Sequence, residues 1–375
     1  MQNMPIDQTK PRGAGAYVFP MGSALALSCT IALAAGPYAY VPSNARDTVS
    51  VVDLSTSTVP TTFSNLLEDP SDGNPGFWGV ALSQRDGMLY LSADYDNVVF
   101  QINTATGKTV RQYNVGTNPR GIAVDQSGRH VYVANSASTS LSVIDTTTQT
   151  VTDVDFELSG LANPNPLGVA LNLAGTRAYV TDTSVGHRLC RINIASLPSH
   201  VGNADCVEVG ANDAANPTAV AVSPDGSRAY VSIHSSGSSI AVVDTASMTV
   251  IRTFPLGFSG PNGIAISASG KRGYVVTGSG KIISLDLTRV DDPGLNPVLH
   301  VIEDVAVGNT IGVSISPDGK RLLVADNTAN KLHFVDIVGD ADVVVASVDV
   351  NQSPYALGQF TPRDSIFVSG FQKSG

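Results

Sequence analysis

The sequence predicts an all-β chain that folds as a seven-bladed β-propeller of four-stranded antiparallel blades. A short apolar segment of the G-I-A type recurs 42 to 51 residues apart, close to the spacing of four-stranded propeller blades, about 40–50 residues. A β-branched segment follows each of the first six copies, and the third segment of every repeat ends at Asp or Asn. The seven copies begin at Gly79, Gly121, Gly168, Ala219, Gly263, Gly312 and Ala356.

The clearest copy of the repeat is Asn118–Asp145, together with the residues just after it. Gly121–Val124 is a short apolar run, and His130–Ala134 has a valine at every second position. Leu141–Ile144 gives a third run and Val151–Phe156 a fourth. Runs this short, separated by Gly, Ser and Asn turns, indicate the strands of an antiparallel meander.

The third strands end at residues with short polar side chains. We interpret these residues as turn formers, because an Asp or Asn side chain can bond the backbone two residues further on. A ring of catalytic carboxylates is the alternative. The seven residues are Asp53, Asn103, Asp145, Asn193, Asp244, Asp286 and Asp336.

The second strands carry a recurring Tyr-Val motif. It reads Tyr132-Val133-Ala134-Asn135, Tyr179-Val180-Thr181-Asp182 and Tyr230-Val231-Ser232, accompanied by Pro224-Asp225-Gly226 and Val243-Asp244-Thr245. Over roughly residues 35–360 the chain resembles the YVTN-repeat β-propeller family of bacterial, exported proteins. The resemblance implies the propeller fold and a surface or periplasmic location. It implies no mechanism, because a fold does not by itself supply one.

The composition excludes one class of partner. The chain has 375 residues, a net charge of -10 and no cluster of Lys and Arg. Nucleic-acid-binding faces normally neutralise phosphates with clustered basic residues. We therefore expect no nucleic-acid partner, and we expect a soluble monomer.

Three segments are expected along the chain: a leader at 1–34, the propeller at 35–360 and a tail or edge segment at 361–375. Ala14–Ala35 is mostly small and apolar and contains Ala32-Leu33-Ala34 near its end. This layout is typical of a secretory signal peptide that is cleaved near Ala35. It predicts a periplasmic or extracellular protein without a transmembrane segment in the mature chain. The alternative is an additional strand at Ala24–Ser28.

The two ends of the propeller are predicted to meet. Tyr38–Pro42, Thr48–Asp53 and Val59–Ser64 supply three strands of a first blade that lacks its inner strand. Pro354–Phe360 is an inner strand without a blade of its own. If it completes the first blade, the ring closes with few exposed edges. Arg363–Phe371 resembles a further strand, which we assign to the tail.

Cys190 and Cys206 are predicted to face each other across the third and fourth strands of one blade. A cross-strand disulfide is geometrically feasible there, and two free buried thiols are the alternative. No C-x-x-C motif is present, so the sequence carries no zinc, haem or redox signature of that kind.

One residue in each repeat directly precedes the G-I-A strand, and these positions should form a ring at one mouth of the central channel. Trp78, Tyr355 and Arg120 come from consecutive blades, so two aromatic rings and a guanidinium should share one sector. Such a sector suits an anionic or sugar-like ligand. Alternatively, Trp78 packs against the next blade and Arg120 caps a loop. The ring consists of Trp78, Arg120, Leu167, Thr218, Asn262, Ile311 and Tyr355, and the predicted ligand-binding residues are Trp78, Arg120, Thr218, Asn262 and Tyr355.

The loops between second and third strands carry side chains that are suited to bind a metal ion. Asp182, His187 and His234 come from adjacent blades, and imidazole and carboxylate suit Zn²⁺ or a similar divalent cation. Alternatively, both histidines are solvated loop residues. No cofactor is otherwise evident. His333 alternates with Phe334 on a strand and is expected to be a packed or edge residue.

Three functions compete at this point. A non-catalytic, exported binding protein, holding a small ligand, glycan or protein, is favoured because no catalytic constellation is visible. A hydrolase or lyase acting on a lactone or ester, with or without a metal ion, is the second, because some propellers are lactonases. A redox partner subunit similar to the amine dehydrogenase heavy chain is the third.

Overall fold

The computed structural model describes residues 37–67, 73–156, 163–184, 186–195, 204–210, 215–234, 238–303, 305, 308–338 and 342–362. These residues belong to the larger of two compact units, residues 33–375. The predicted signal peptide and Arg363–Phe371 lie outside the described ranges, and both remain predictions.

The described strands form seven sheets, one for each blade, and neighbouring strands within a blade are antiparallel, so the predicted seven-bladed propeller is confirmed. Blade 1 contains β1 Tyr38–Pro42, β2 Val49–Asp53 and β3 Thr58–Phe63; blade 2, β4 Phe77–Leu82, β5 Met88–Ala93, β6 Val98–Asn103 and β7 Lys108–Asn114; blade 3, β8 Pro119–Val124, β9 His130–Asn135, β10 Ser140–Asp145 and β11 Thr150–Asp155; blade 4, β12 Pro166–Leu171, β13 Arg177–Asp182, β14 Arg188–Asn193 and β15 Ala204–Glu208. Blade 5 contains β16 Asn216–Val222, β17 Arg228–His234, β18 Ser239–Asp244 and β19 Thr249–Pro255; blade 6, β20 Pro261–Ile266, β21 Arg272–Thr277, β22 Ile282–Asp286, a 3-10 helix Leu287–Arg289 and β23 Val298–Ile302; blade 7, β24 Thr310–Ile315, β25 Arg321–Asp326, β26 Lys331–Asp336 and β27 Val343–Asp349. A short strand, β28 Leu357–Gln359, follows blade 7.

The small residues of the G-I-A segments stand where adjacent inner strands come closest. A Cβ on Gly79 would lie 2.1 Å from the carbonyl oxygen of Arg120 on the next blade. A Cβ on Gly121 would lie 2.1 Å from the carbonyl oxygen of Leu167. Glycine is therefore needed at these two positions because neighbouring backbone occupies the space of a side chain.

Hydroxyl groups on second strands join adjacent blades. The Ser92 hydroxyl accepts from the amide of Gly79 at 2.8 Å and donates to the carbonyl oxygen of Arg120 at 2.6 Å. Thr181 connects Gly168 to Thr218 in the same way, at 2.7 and 3.0 Å. These bonds fix Arg120 and Thr218, which precede two of the G-I-A strands and lie at the channel mouth.

The C-terminal segment closes the ring, as predicted. Pro354 forms a bridge with Ser43 after β1, and the amide of Tyr40 donates to the carbonyl oxygen of Phe360 at 2.9 Å. The segment also bonds the next blade, because β28 pairs in parallel with β4. Ala356 and Phe360 are fully buried in a hydrophobic cluster shared with blades 1, 2 and 7. The same short segment thus completes blade 1 and connects it to blade 2.

The seven Asp and Asn residues that end the third strands all act as turn formers. Each uses its side-chain oxygen to accept backbone amides that follow it, for example the amides of Thr147 and Thr148 at Asp145, 2.8 and 3.0 Å away. Arg129 and these amides lower the pKa of Asp145 to about 2. The interpretation as turn formers is confirmed, since equivalent bonds occur at Asp53, Asn103, Asn193, Asp244, Asp286 and Asp336.

Cys190 and Cys206 are direct partners on β14 and β15, and their Sγ atoms form a disulfide. The bond spans 16 residues, and cross-linking a loop of this length reduces the entropy of the unfolded chain by an amount worth about 3 kcal/mol. We expect the double variant Cys190→Ser, Cys206→Ser to lose about that much unfolding free energy, measured by urea denaturation. Dithiothreitol should destabilise the wild type equally and leave the double variant unchanged. Two freely alkylated thiols in the native, non-reduced protein would contradict the bond.

Candidate functional site

A cavity of about 440 Å³ opens at one mouth of the central channel. It lies where the seven inner strands begin, and residues from most blades line it. All seven ring positions predicted from the repeat belong to its wall. The lining residues are Trp78, Arg120, Leu167, Thr218, His234, Ser259, Gly260, Asn262, Gly278, Asn309, Ile311, Tyr355 and Leu357.

One sector of the mouth cavity combines two aromatic rings with a cation. The ring centroids of Trp78 and Tyr355 are 4.5 Å apart, and the Cζ atom of Arg120 lies 4.3 Å from the centroid of the Trp78 ring. All three side chains are half-buried. A guanidinium stacked in this way is favoured by the electron-rich ring face. The three side chains therefore lie together in one sector, with the Arg120 guanidinium over the Trp78 ring and the Tyr355 ring tilted by 53° against that ring.

Asp94 holds the guanidinium of Arg120 in place. Its Oδ1 atom lies 3.4 Å from Arg120 Nε, and only 6% of the Asp94 side chain is exposed, against 31% for Arg120. The two Nη atoms of Arg120 have no hydrogen-bond partner among the described residues. Burial raises the pKa of Tyr355, and nearby Arg120 partly offsets that rise. At neutral pH this sector therefore offers a positioned cation, a neutral phenol and two ring faces.

The opposite wall is polar and internally bonded. Asn262 donates to Asn309 Oδ1 at 2.9 Å and to the carbonyl oxygen of Thr310 at 3.0 Å. The Thr218 hydroxyl donates to the carbonyl oxygen of Pro261 at 2.8 Å. These bonds fix the amide and hydroxyl groups in position. Fixed polar groups opposite a cation and aromatic faces are suited to orient a polyhydroxylated or carbonyl-bearing ligand.

The three predicted metal ligands do not form a common group in the described part of the chain. Both carboxylate oxygens of Asp182 accept bonds from neighbouring loops: Oδ1 accepts the amides of Asn165 and Ser184 at 2.7 and 3.0 Å, and Oδ2 accepts the Ser184 hydroxyl at 2.7 Å. His234 is exposed and lines the mouth cavity. Metal binding by these residues stays a prediction.

His187 differs from the expectation that it is a solvated loop residue. Only 6% of it is exposed, and neither ring nitrogen has a hydrogen-bond partner among the residues described. Its backbone is fixed on both sides, since its amide donates to Ser184 and its carbonyl oxygen accepts from Val209, both at 2.9 Å. Its loop folds inward because of these backbone bonds, which the polar sequence of the loop does not reveal.

Sequence reasoning did not single out Asn309 and Leu357, which line the mouth cavity, and it did not predict that Asp94 pairs with Arg120. Asn309 carried a signal, because Asn stands two positions before the ring residue in four of the seven repeats: Asn118, Asn165, Asn216 and Asn309. Leu357 and the pairing of Asp94 with Arg120 carried none. Their roles depend on where neighbouring blades place Arg120 and the closing segment.

A buried histidine on blade 7 gives a pH prediction. His333 Nδ1 lies 2.7 Å from the Ser347 hydroxyl, and Nε2 lies 3.3 Å from Asp326 Oδ2. It is packed, as expected, with 5% exposure. Burial lowers the pKa of His333 below 6.5 in the folded protein, and the contact with Asp326 only partly offsets this. Unfolded chains therefore bind more protons than folded ones once the pH falls below about 6.5.

The unfolding free energy should accordingly fall as the pH drops from 6.5 through the lower folded pKa of His333. Each unit of difference between the two pKa values contributes about 1.4 kcal/mol. The variant His333→Gln should show a flatter loss of stability between pH 7 and pH 5 in urea denaturation. His234→Gln is the control, because His234 is exposed. Equal slopes in wild type and His333→Gln would contradict this prediction.

A second cavity, of about 450 Å³, occupies the central channel itself. Aliphatic and small residues of the inner strands line it, and Val124, Val222, Ile266 and Ile315 are only half-buried there. Polar residues stand at its far end: Gln84, Asp125, Gln126, Ser316 and Gln359. The channel and the mouth cavity share Ile311 and Leu357, so the floor of the mouth cavity is the near end of the channel.

Comparison with known proteins gives a family and a fold. The choice-of-anchor I domain matches residues 33–287, which is more than half of the chain. Among curated proteins none matches. No helix in the described ranges is long and apolar enough to span a membrane.

Many solved structures resemble the propeller. Hydrazine synthase of Kuenenia stuttgartiensis superposes with a TM-score of 0.64 at 18% identity, over 75% of this chain and 89% of that one. The Cps50 (Swd1) β-propeller domain of Myceliophteria thermophila has a TM-score of 0.60 at 12% identity, over 76% and 89%. At such low identity these likenesses show the fold alone.

Proposed function

Because the chain belongs to the choice-of-anchor I domain family, we propose that it is an exported, non-catalytic binding protein. Its ligand is a small anion that carries a sugar-like ring, and the mouth cavity holds it. Family membership supports a cell-surface or exported location. The signal peptide cleaved near Ala35 and the likeness to YVTN-repeat proteins are parts of the same proposal.

One observation carries this proposal: the stack of Arg120 on Trp78, with Tyr355 beside it. A stacked guanidinium with two unbonded Nη atoms can form a two-point contact with a carboxylate or phosphate. The adjacent aromatic faces can pack against the apolar face of a sugar ring. The fixed Asn262 and Thr218 side chains on the opposite wall then select for hydroxyl groups.

A ligand panel with one built-in reporter tests the proposal. Trp78 is the only tryptophan in the chain, so a ligand in the mouth cavity should change the protein's tryptophan fluorescence. We expect glucuronate, galacturonate or glucose 6-phosphate to change that signal and to raise the melting temperature by mass action. Glucose, which lacks the charge, should bind at least about tenfold more weakly, since a hydrogen bond to a charged group is worth about 1.5–3 kcal/mol.

Two results would contradict the proposal. The first is a panel in which no acidic ligand changes either signal. The second is turnover of γ- and δ-lactones or phenyl esters, measured with and without Zn²⁺ or Ca²⁺. Hydrolysis that disappears in an Arg120→Ala variant would indicate an enzyme at this cavity.

The mature amino terminus of exported protein, determined by sequencing, tests the location. An intact Met1 would contradict a cleaved leader.

A further inference from the structure

We infer that the ligand of the mouth cavity is an amphiphile, with a single aliphatic chain that extends from the anionic ring into the central channel. This inference rests on the proposed function, because it places the anionic ring on Arg120 and Trp78. It adds the chemical class of the remainder of the ligand. The channel next to the cavity carries the argument.

The two cavities are continuous in their lining. Ile311 and Leu357 belong to both walls, so a group attached to a ring in the mouth cavity has a direct route past them. Ile311 is 5% exposed and fixed in its blade, whereas Leu357 is half-buried on the three-residue strand β28. Leu357 is therefore the side chain at the junction that can most easily change the width of the passage.

The channel has the chemistry of an alkyl-chain site. Its middle is lined by residues such as Ala81, Val169, Ala221 and Val313. Among the described residues, Asp125 at the far end is the one charged side chain in its lining. Four further aliphatic side chains on its wall, Val124, Val222, Ile266 and Ile315, are incompletely buried by the protein itself. Covering incompletely buried apolar surface with a hydrocarbon chain is favourable, by about 25 cal/mol per Å² removed from water.

The polar far end limits the length of chain. The far end is lined by Asp125 and by the uncharged polar residues Gln84, Gln126, Ser316 and Gln359. Contact with these polar groups favours water over a hydrocarbon chain. A chain should therefore gain affinity with each methylene until it reaches this end, and then stop gaining. A second anionic group on the far end of the chain would meet Asp125 and be disfavoured.

A homologous ligand series tests this inference. Methyl, butyl, hexyl and octyl β-D-glucuronide share one head, and their dissociation constants are measured by calorimetry at concentrations below micelle formation. Each added methylene should strengthen binding by about fourfold until the channel is filled. The Arg120→Ala variant should weaken every member by a similar factor, because the head is common to all.

Variants at Leu357 separate the channel from the mouth. Leu357→Trp should block the passage, so that octyl and methyl glucuronide bind this variant with similar affinity. Leu357→Ala should retain the dependence on chain length, and it keeps the test usable if the Trp variant does not fold. Circular dichroism and melting temperature report folding of both variants.

The outcomes are distinguishable. Equal affinity of methyl and octyl glucuronide for the wild type would overturn the amphiphile and leave the proposed function in place. Binding of octyl glucuronide that is unchanged in Arg120→Ala would overturn the linked arrangement, because the chain would then bind without its head in the mouth cavity. No binding of any member, including the methyl compound, would overturn the proposed function and this inference together.

Discussion

The variant Arg120→Ala should bind an acidic sugar about a hundredfold more weakly than the wild type. Arg120 lines the mouth cavity, its Cζ atom lies 4.3 Å from the Trp78 ring centroid, and its Nε atom bonds Asp94. Removing a donor to a charged group costs about 1.5–3 kcal/mol in a partly desolvated site, which corresponds to a factor of about 10 to 160. Fluorescence titration of Trp78 with glucuronate measures the loss.

One further substitution distinguishes charge from geometry at this position, and a second, at another arginine, serves as the control. Arg120→Lys keeps the charge but loses the planar fork, so it should recover only part of the affinity. Arg129→Ala is the matched control: Arg129 is also paired with an aspartate, Asp145 at 2.9 Å, but it does not line the mouth cavity. Equal affinity in wild type and Arg120→Ala would exclude Arg120 as the anion-binding group.

The variant Gly121→Ala should lose about 3 kcal/mol of unfolding free energy, at the upper end of the usual cost of overpacking. Its new Cβ would lie 2.1 Å from the carbonyl oxygen of Leu167 and 3.0 Å from the Cα of Gly168. These are backbone atoms of the next inner strand, so two blades must separate to accommodate the methyl group. Urea denaturation with an unchanged m-value would report the loss.

A graded series of glycines makes this prediction sharper. Gly263→Ala should cost less, because its nearest atom, the carbonyl oxygen of Ile311, is 2.9 Å away. Gly273→Ala should cost least, because it meets only the Leu287 side chain at 3.2 Å and beyond. None of the three glycines has a positive φ, so the series compares space alone. Equal losses at all three positions would show that close packing of the inner strands is not the cause.

The repeat made the fold and the ring of mouth residues predictable. A period near 45 residues fixes four strands per blade, and equivalent positions in a closed ring must converge, so Trp78, Arg120 and Tyr355 could be grouped from sequence alone. The Asp145-type turns were predictable because their hydrogen bonds are local.

Contacts between blades could not be derived in this way. The pairing of Asp94 with Arg120 and the burial of His187 depend on how loops from different repeats pack, and no spacing encodes that. The parallel pairing of β28 with β4 was also missed, because the repeat predicts only the antiparallel neighbour of an inner strand. Sequence periodicity determines which residues share a position, and packing determines which of them touch.

The closing segment has a consequence for how the chain matures during synthesis. Tyr40 and Phe360 bond each other across nearly the whole length of the chain, so blade 1 stays without its inner strand until the ribosome has delivered that last segment. The entropy of closing so long a loop is lost in a single late step. Until then blade 1 is incomplete, and the ring of blades cannot close.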